Sequence, residues 1–254
     1  MRNLFDLTGR AALVTGGSRG LGKEMAMALA EAGADLLLGA QKAGPVKQAA
    51  EEIAAHTGKT VLAQALDVAD RTSVEAFVST AMERFKRIDI LVNSAGVNVR
   101  APTLEVRDED WLRINQVNVT GTFFCCRAAL PHMLQAGFGR IINVGSALSL
   151  AGMPGRLSYC TSKGAVIQMT RAMAVELART GVTVNCLCPG PFATEINRPL
   201  LDNPQAAADL MARIPMARWA EMHEIRTPVL FLASPASSYV TGSALLVDGG
   251  WTAW

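Results

Sequence analysis

The stretch Ala11-Ala-Leu-Val-Thr-Gly-Gly-Ser-Arg-Gly-Leu-Gly22 decides the fold class of this chain. It opens with a short apolar run, passes through a glycine-rich turn and continues as a helical pattern to Ala32. A strand, a glycine turn and a helix in this order form the context of a phosphate-binding loop, because a helix N-terminus offers unpaired N–H groups to a pyrophosphate. The spacing is G-x-x-x-G-x-G, not the commoner G-x-G-x-x-G, and an ordinary glycine-rich turn is the alternative interpretation.

Apolar runs and helical patterns then alternate along the chain. Continuous apolar strands separated by helices are typical of a parallel sheet that is covered on both faces. We therefore predict an α/β fold, with residues 1–254 forming a single Rossmann-type domain around a seven-stranded, mostly parallel sheet. The six further strands are predicted at 35–39, 60–66, 88–92, 140–144, 182–188 and 244–247, and later helices at about 45–56, 72–86, 108–135, 158–179 and 221–233.

The composition excludes several classes of protein. A net charge of +2 over 254 residues gives no electrostatic case for binding nucleic acid or an anionic membrane. The apolar runs are too short for a transmembrane helix, and we expect a cytoplasmic protein without a secretory signal. The five cysteines lack C-x-x-C spacing, so we predict reduced, buried thiols and no metal site. Cys186 and Cys188 alternate along a predicted strand and should point to one side.

Several polar or glycine-containing segments follow directly after predicted strands. Ligands of open α/β sheets bind beyond the carboxyl ends of the strands, so these segments are expected to form one composite site. The segments are the glycine loop, Asp67, Asn93–Gly96, Ser146 and Pro189–Gly190.

Ser146, Tyr159 and Lys163 suit the polarisation of a carbonyl group. Tyr159 and Lys163 share one face if Ser158 opens a helix. A free tyrosine has a pKa of about 10, and a nearby ammonium favours the phenolate. The Ser146 hydroxyl, at a strand end, could hold a carbonyl oxygen or alkoxide. The alternative is that a Tyr and a Lys four residues apart are ordinary helix-surface residues.

Taken together, these motifs resemble the classical short-chain dehydrogenases/reductases over essentially the full chain. The resemblance implies a Rossmann-type sheet, a nicotinamide cofactor and a homotetramer or homodimer. The matching motifs are Thr15–Gly22, Asp67-Val68, Asn93–Gly96, Asn118 within Val117–Gly121, Ser146, Tyr159-x-x-x-Lys163, and Pro189-Gly190 with Thr194. Ser94 and Gly145 depart from the commoner family residues, whereas every catalytic position is present.

The resemblance also implies the catalytic roles. Tyr159 would be the acid–base, and Lys163 would lower its pKa while binding the nicotinamide ribose. Ser146 would position the substrate oxygen, and Asn118 would hold a water that connects Lys163 to solvent. The implied cofactor contacts are Gly16, Ser18, Arg19, Gly20, Leu21, Ala40, Gln41, Lys42, Asp67, Val68, Asn93, Ala95, Gly96, Tyr159, Lys163, Pro189, Gly190, Phe192 and Thr194.

The end of the second strand bears on the choice of cofactor. In the family, an acidic residue at that place accepts the adenosine ribose and selects NAD, whereas this chain has Ala40. Arg19 and Lys42 are candidates to pair with a 2′-phosphate, so we predict NADP(H) over NAD(H). Alternatively, both are solvated cations and Gln41 bonds an NAD ribose.

The substrate site is expected to contain arginines. Two arginines near a reactive carbonyl suit an anionic substrate such as a sugar acid, and ordinary surface salt bridging is the alternative. The chain ends, 4–9 and 247–253, resemble those of gluconate 5-dehydrogenases and related sugar-acid or polyol dehydrogenases. A 3-oxoacyl-thioester reductase and a non-catalytic NADP-sensing protein are the other candidate functions. The predicted substrate residues are Asn98, Arg100, Ser146, Leu148, Met153, Arg156 and Tyr159.

Two further segments carry structural predictions. The proline-rich region at about 190–220 is predicted to be a mobile lid over the substrate, or else a surface excursion that merely packs. Trp251 and Trp254 are predicted to be buried at a subunit interface, with packing onto their own chain as the alternative. Pro228 should kink the last helix or restart it.

Overall fold

In the computed structural model, which describes residues 3–194 and 197–253, seven strands form one sheet. The strand order is β3-β2-β1-β4-β5-β6-β7, and every neighbouring pair is parallel. The α/β class is confirmed, and the sheet is wholly parallel where a mostly parallel one was predicted. The strands are Ala11–Thr15 (β1), Asp35–Ala40 (β2), Val61–Ala65 (β3), Ile90–Asn93 (β4), Gly139–Val144 (β5), Val182–Pro189 (β6) and Ala244–Val247 (β7).

Helices surround the sheet. No helix in the described part of the chain is long and apolar enough to cross a bilayer. The helices are Gly20–Glu31 (α1), Ala43–Thr57 (α2), Arg71–Phe85 (α3), Asp108–Asn115 (α4), Gly121–Ala136 (α5), Leu157–Leu177 (α6), Arg198–Leu201 (α7), Pro204–Met211 (α8) and Arg226–Ala233 (α9).

The core lies in two layers, one on each face of the sheet. Successive strand residues point to opposite faces, so Leu36 and Leu38 of β2 enter one layer and Leu37 enters the other. Met25 of α1 packs in the first layer and Phe77 of α3 in the second. Burial on both faces explains why the strands read as unbroken apolar runs.

Two helical predictions are refined by the structure. The stretch predicted at 108–135 is helical throughout, but a π-helical turn at Gln116–Thr120, which was not predicted, joins α4 to α5. The predicted restart at Pro228 is confirmed: a 3₁₀ turn, Met222–Ile225, precedes α9, and Pro228 lies in the first turn of α9. Proline is tolerated there because the N–H groups of a first helical turn have no intrahelical acceptor.

The region at about 190–220 contains α7 and α8 and returns to the sheet. Phe192 forms an isolated parallel bridge with Ala220. Leu210 and Ile214 are buried, and the N–H of Met216 donates to the Gly249 carbonyl at 3.1 Å. Residues 195–196 of the predicted lid lie outside the described residues, as does Trp254. Trp251 is partly buried within the single chain.

The topology creates one crevice at the carboxyl edge of the sheet. Strand β1 lies between β2 and β4, so the chain runs outward in opposite directions on its two sides. Such a switch point is where open α/β sheets bind ligands. The predicted site segments after β1, β4, β5 and β6 therefore share this edge.

Candidate active site

Ser146 and Tyr159 meet at the end of β5. The Ser146 hydroxyl lies close enough to the Tyr159 phenol to lower its pKa. The Ser146 oxygen also accepts the N–H of Leu148 at 3.1 Å, and the Ser146 N–H donates to the Ser149 hydroxyl at 3.0 Å. These reciprocal bonds form a capping box on the 3₁₀ turn Ala147–Ser149. The serine hydroxyl is therefore fixed beside the phenol.

Lys163 lies one turn further along α6, with 5% of its surface exposed. Its ammonium donates to the Val144 carbonyl at 2.7 Å and lies 5.8 Å from the centroid of the Tyr159 ring. Burial lowers the pKa of Lys163 from 10.5 to about 8. The ammonium thus faces the ring and a strand-end carbonyl.

The pKa of Tyr159 is raised, chiefly by burial. The Ser146 hydrogen bond and the positive charge of Arg156 act in the opposite direction and lower this pKa. The sequence predicted Arg156 only as a substrate residue. Its effect on the pKa of Tyr159 was not predicted. The expected lowering of the Tyr159 pKa by Lys163 stays a prediction.

Asn118 lies in the π-helical turn and is fully buried. Its side-chain oxygen accepts the Val97 N–H at 2.8 Å, and its amide donates to the Val97 carbonyl and the Ser162 hydroxyl, each at 3.0 Å. A Cβ atom added at Gly96 would lie 3.3 Å from the Asn118 oxygen and 3.6 Å from the Lys163 nitrogen. The π turn, a feature frequent at functional sites, therefore brings Asn118 to Lys163.

The glycine loop fits a dinucleotide pyrophosphate. A Cβ atom at Gly16 would lie 2.9 Å from the Ala95 Cα, and one at Gly22 would lie 2.2 Å from the Gly16 carbonyl oxygen. Only glycine permits these approaches. Helix α1 then begins without a side-chain cap and without an acidic residue in its first turn. Its first N–H groups and positive dipole end are thus available to an anion.

Thr15, Asn143 and Ser162 were not among the predicted site residues, and their hydrogen bonds connect separate segments of the site. The Thr15 hydroxyl accepts the N–H groups of Ser94 and Ala95, each at 3.1 Å. The Asn93 amide donates to Asn143 at 2.9 Å, and Ser162 bonds Asn118 as described above. Thr15 and Asn143 lie on β1 and β5, which could have suggested them once the strand order was known.

Four of the predicted cofactor positions lie at the junction of β2 and α2 or directly before α1. Ala40 ends β2, and the exposed Gln41 and Lys42 lead into α2. Arg19 is exposed immediately before α1. Phe192 is 1% exposed in the core, so its contact with the nicotinamide stays a prediction.

Arg156 is a buried cation beside the catalytic group. It is 7% exposed, and burial together with the like charge of Arg100 lowers its pKa to about 10. Within residues 3–194 and 197–253, no carboxylate lies within salt-bridge distance of its guanidinium. The Asn98 side-chain oxygen is also buried without a partner in this part of the chain. Of the apolar substrate candidates, Leu148 is buried and Met153 is partly exposed.

Comparison with known proteins agrees with this geometry. Residues 16–252 match the family model described as Enoyl-(Acyl carrier protein) reductase. The chain belongs to the short-chain dehydrogenase/reductase family. Galactitol 2-dehydrogenase (L-tagatose-forming) of Cereibacter sphaeroides is 41% identical, covering 100% of this chain and 99% of the relative. A 3-oxoacyl-[acyl-carrier-protein] reductase of Synechocystis sp. is 39% identical, covering 96% and 97%.

A solved structure of this short-chain dehydrogenase/reductase family supports the same assignment. The gluconate 5-dehydrogenase from Burkholderia cenocepacia J2315, in complex with NADP and tartrate, superposes with a TM-score of 0.95 at 38% identity, covering 99% of this chain and 98% of that one. The protein is therefore an oxidoreductase that interconverts secondary alcohols and ketones with a nicotinamide dinucleotide, as the resemblance implied.

Replacing Lys163 with Met is expected to stabilise the protein without its cofactor by about 1–3 kcal/mol at neutral pH, because a buried ammonium is costly. The gain in stability should be complete at pH values below about 8, the pKa of Lys163 in the folded protein. It should vanish above pH 10.5, where Lys163 loses its proton in both the folded and the unfolded chain. Urea unfolding at several pH values measures it.

The control is Lys47→Met, which removes an ammonium whose side chain is 75% exposed and should change stability by less than about 0.5 kcal/mol. A Lys163→Met protein that is less stable than the wild type at neutral pH would contradict the expectation.

Proposed function

We propose that this enzyme reduces the keto group of a small sugar acid with NADPH and oxidises the corresponding alcohol. The observation that carries the proposal is Arg156, a buried guanidinium whose charge is felt at Tyr159. A buried cation without an anionic partner is costly, and a substrate carboxylate would compensate it through charge-assisted hydrogen bonds. The tartrate named in the complex of the solved relative is likewise a small hydroxy acid anion.

The proposed chemistry uses the residues at the end of β5. The bound nicotinamide supplies or accepts the hydride at the substrate carbon. Tyr159 gives its proton to the carbonyl oxygen during reduction and takes it back during alcohol oxidation. Ser146, next to Tyr159, holds the same oxygen as its charge grows. Lys163 and Asn118 both lie beside Gly96, and their role is to return the proton from solvent.

Asn98 and Arg100 complete the proposed substrate site. Arg100 lies close enough to Arg156 for their charges to interact, so a second guanidinium acts on this part of the site. The unpartnered Asn98 oxygen is suited to accept a hydrogen bond from a substrate hydroxyl. A polyhydroxylated acid would satisfy both groups, whereas a simple ketone would satisfy neither.

The proposed preference for NADPH rests on the end of β2. Ala40 offers no carboxylate to repel a 2′-phosphate, and the exposed Arg19 and Lys42 lie at the adjacent helix starts. Ala40→Asp is expected to lower kcat/KM with NADPH about 100-fold, since a carboxylate would face the phosphate, and to change kcat/KM with NADH less than about 3-fold. Steady-state kinetics with both cofactors measure this.

The control for this cofactor prediction is Ala43→Asp, on the first residue of α2, which should leave the ratio of the two cofactors nearly unchanged. A wild-type enzyme that uses NADH and NADPH equally well would contradict the preference.

A second candidate function is reduction of a 3-oxoacyl thioester. It is favoured by the Synechocystis relative, which carries that name at 39% identity. Turnover of acetoacetyl-coenzyme A and of 5-ketogluconate, each with NADPH, separates the two functions. A kcat/KM for the thioester more than about 10-fold above that for the sugar acid would favour the second function.

We also propose that residues at about 190–220 form a lid over the substrate and that the enzyme is a homotetramer or homodimer. The lid is supported by the two short helices that follow β6 at the carboxyl edge of the sheet. The assembly is supported by exposed apolar side chains on three helices: Leu112 at 65%, Phe123 at 42% and Val175 at 81% exposed. Sedimentation equilibrium tests the assembly, and a monomer would refute it.

A further inference from the structure

Two buried thiols lie directly beneath the turn that carries Ser146. Cys186 and Cys188 are both 0% exposed on β6, and their sulfurs are 3.6 Å apart on one side of the strand. This confirms that they share a side. All five cysteines are free. Neither thiol has a part in the proton transfer described above, so their place beneath the active site calls for another explanation.

Cys188 lies against the turn that holds Ser146. The Ser146 N–H and the Ser149 hydroxyl both lower the pKa of the Cys188 thiol. The Ser146 N–H itself donates to the Ser149 hydroxyl at 3.0 Å. The thiol therefore lies next to the hydrogen bond that fixes Ser146.

Gly145 shows how closely the turn rests on the sulfurs. A Cβ atom at Gly145 would lie 2.7 Å from the Cys186 sulfur and 2.9 Å from the Cys188 sulfur. Contacts this short do not occur, so any larger residue would lift the turn or displace the thiols. Gly145 was noted as a departure from the commoner family residue, and the two thiols provide its physical explanation.

The groups around Cys186 and Cys188 that shift the pKa of Cys188 include the same serine turn. The hydrogen bond with Cys186 and the Ser146 N–H lower the pKa of Cys188, while burial opposes them. The titratable groups that face Cys188 are Cys186 on its own strand and Tyr159 and Lys163 on α6, and Arg156 and Cys160 act on Tyr159.

We propose that Cys188 is a positioning residue that holds the Gly145–Ser149 turn, and through it the Ser146 hydroxyl, against Tyr159. The proposal rests on the catalytic roles proposed for Ser146 and Tyr159. It does not depend on the identity of the substrate, because any ketone would be bound through the same oxygen.

The test compares Cys188→Ala and Cys188→Ser with Cys125→Ala, a buried thiol on α5 whose neighbours are apolar. With the ketone that the wild type turns over best, Cys188→Ala should lower kcat about 10-fold, since small displacements of catalytic groups are costly. The midpoint of its pH profile should move to higher pH, because a displaced Ser146 no longer lowers the pKa of Tyr159, and the KM for NADPH should not change. Cys188→Ser should recover most of kcat, and Cys125→Ala should keep both kcat and the pH profile.

A Cys188→Ala enzyme with the kcat and pH profile of the wild type would overturn the proposal, as would an equal loss in Cys125→Ala. If Cys188→Ala does not fold, Gly145→Ala replaces it, because the added methyl group displaces the same turn; wild-type kcat and pH profile in that variant would also overturn the proposal. Failure of the proposed function gives a different result: the wild-type enzyme would then turn over no sugar acid.

Discussion

Replacing Tyr159 with Phe is expected to lower kcat/KM for ketone reduction by about 10³-fold, within the range that general acid catalysis contributes. The change removes one oxygen and leaves the ring that packs near Lys163. It also removes the phenol oxygen that interacts with Ser146, so the substrate oxygen loses its proton donor and the alignment of its second contact is disturbed. Stopped-flow and steady-state oxidation of NADPH measure the loss.

The chain supplies a matched control for this substitution. Tyr239 is the only other tyrosine, and its side chain is fully exposed. Tyr239→Phe should keep the wild-type kcat/KM, and both variants should bind NADPH with a Kd close to that of the wild type. A Tyr159→Phe enzyme that retains more than about a tenth of the wild-type kcat/KM would show that the phenol is not the acid.

Replacing Arg156 with Met is expected to raise the KM for 5-ketogluconate about 100-fold, since a buried charge-assisted pair contributes a few kcal/mol to binding. Turnover of a neutral ketohexose should change by less than about 3-fold, because it has no carboxylate for Arg156 to bind. Methionine retains most of the buried volume of the arginine stem, which limits the effect on packing.

Arg171→Met is the control for this change, since Arg171 is exposed on α6, the helix that begins directly after Arg156. It should leave the KM for 5-ketogluconate and the turnover of the neutral ketohexose unchanged. Equal losses for the acid and the neutral ketose in Arg156→Met would mean that the guanidinium acts on Tyr159 rather than on a carboxylate, because its charge also lowers the pKa of the phenol.

The strands and their common edge could be predicted from the sequence because both follow from local patterns. A strand buried on both faces must be continuously apolar, and in a parallel sheet every strand ends at the same edge. The glycine loop could also be predicted from a local pattern. Its close contacts with Ala95 and with the start of α1 require glycine at fixed positions.

The interior of the site could not be predicted in the same way, because it depends on contacts between distant segments. The π turn around Asn118 does not follow from apolar periodicity, which reads residues 108–135 as one helix. The Lys163 ammonium donates to the Val144 carbonyl, 19 residues away in the chain, and helical spacing to Tyr159 gives no sign of that partner. Arg156 was recognised as a substrate candidate, but only the fold shows that it is buried.

We propose that this short-chain dehydrogenase uses Tyr159 and Arg156 together to reduce a small anionic ketone. The ratio of kcat/KM for 5-ketogluconate to kcat/KM for a neutral ketohexose, determined with NADPH on the wild-type enzyme, decides whether it does. A ratio of about 100 or more is predicted, in line with a buried arginine–carboxylate pair. A ratio near one, with both substrates turned over, would contradict the claim that a carboxylate is recognised.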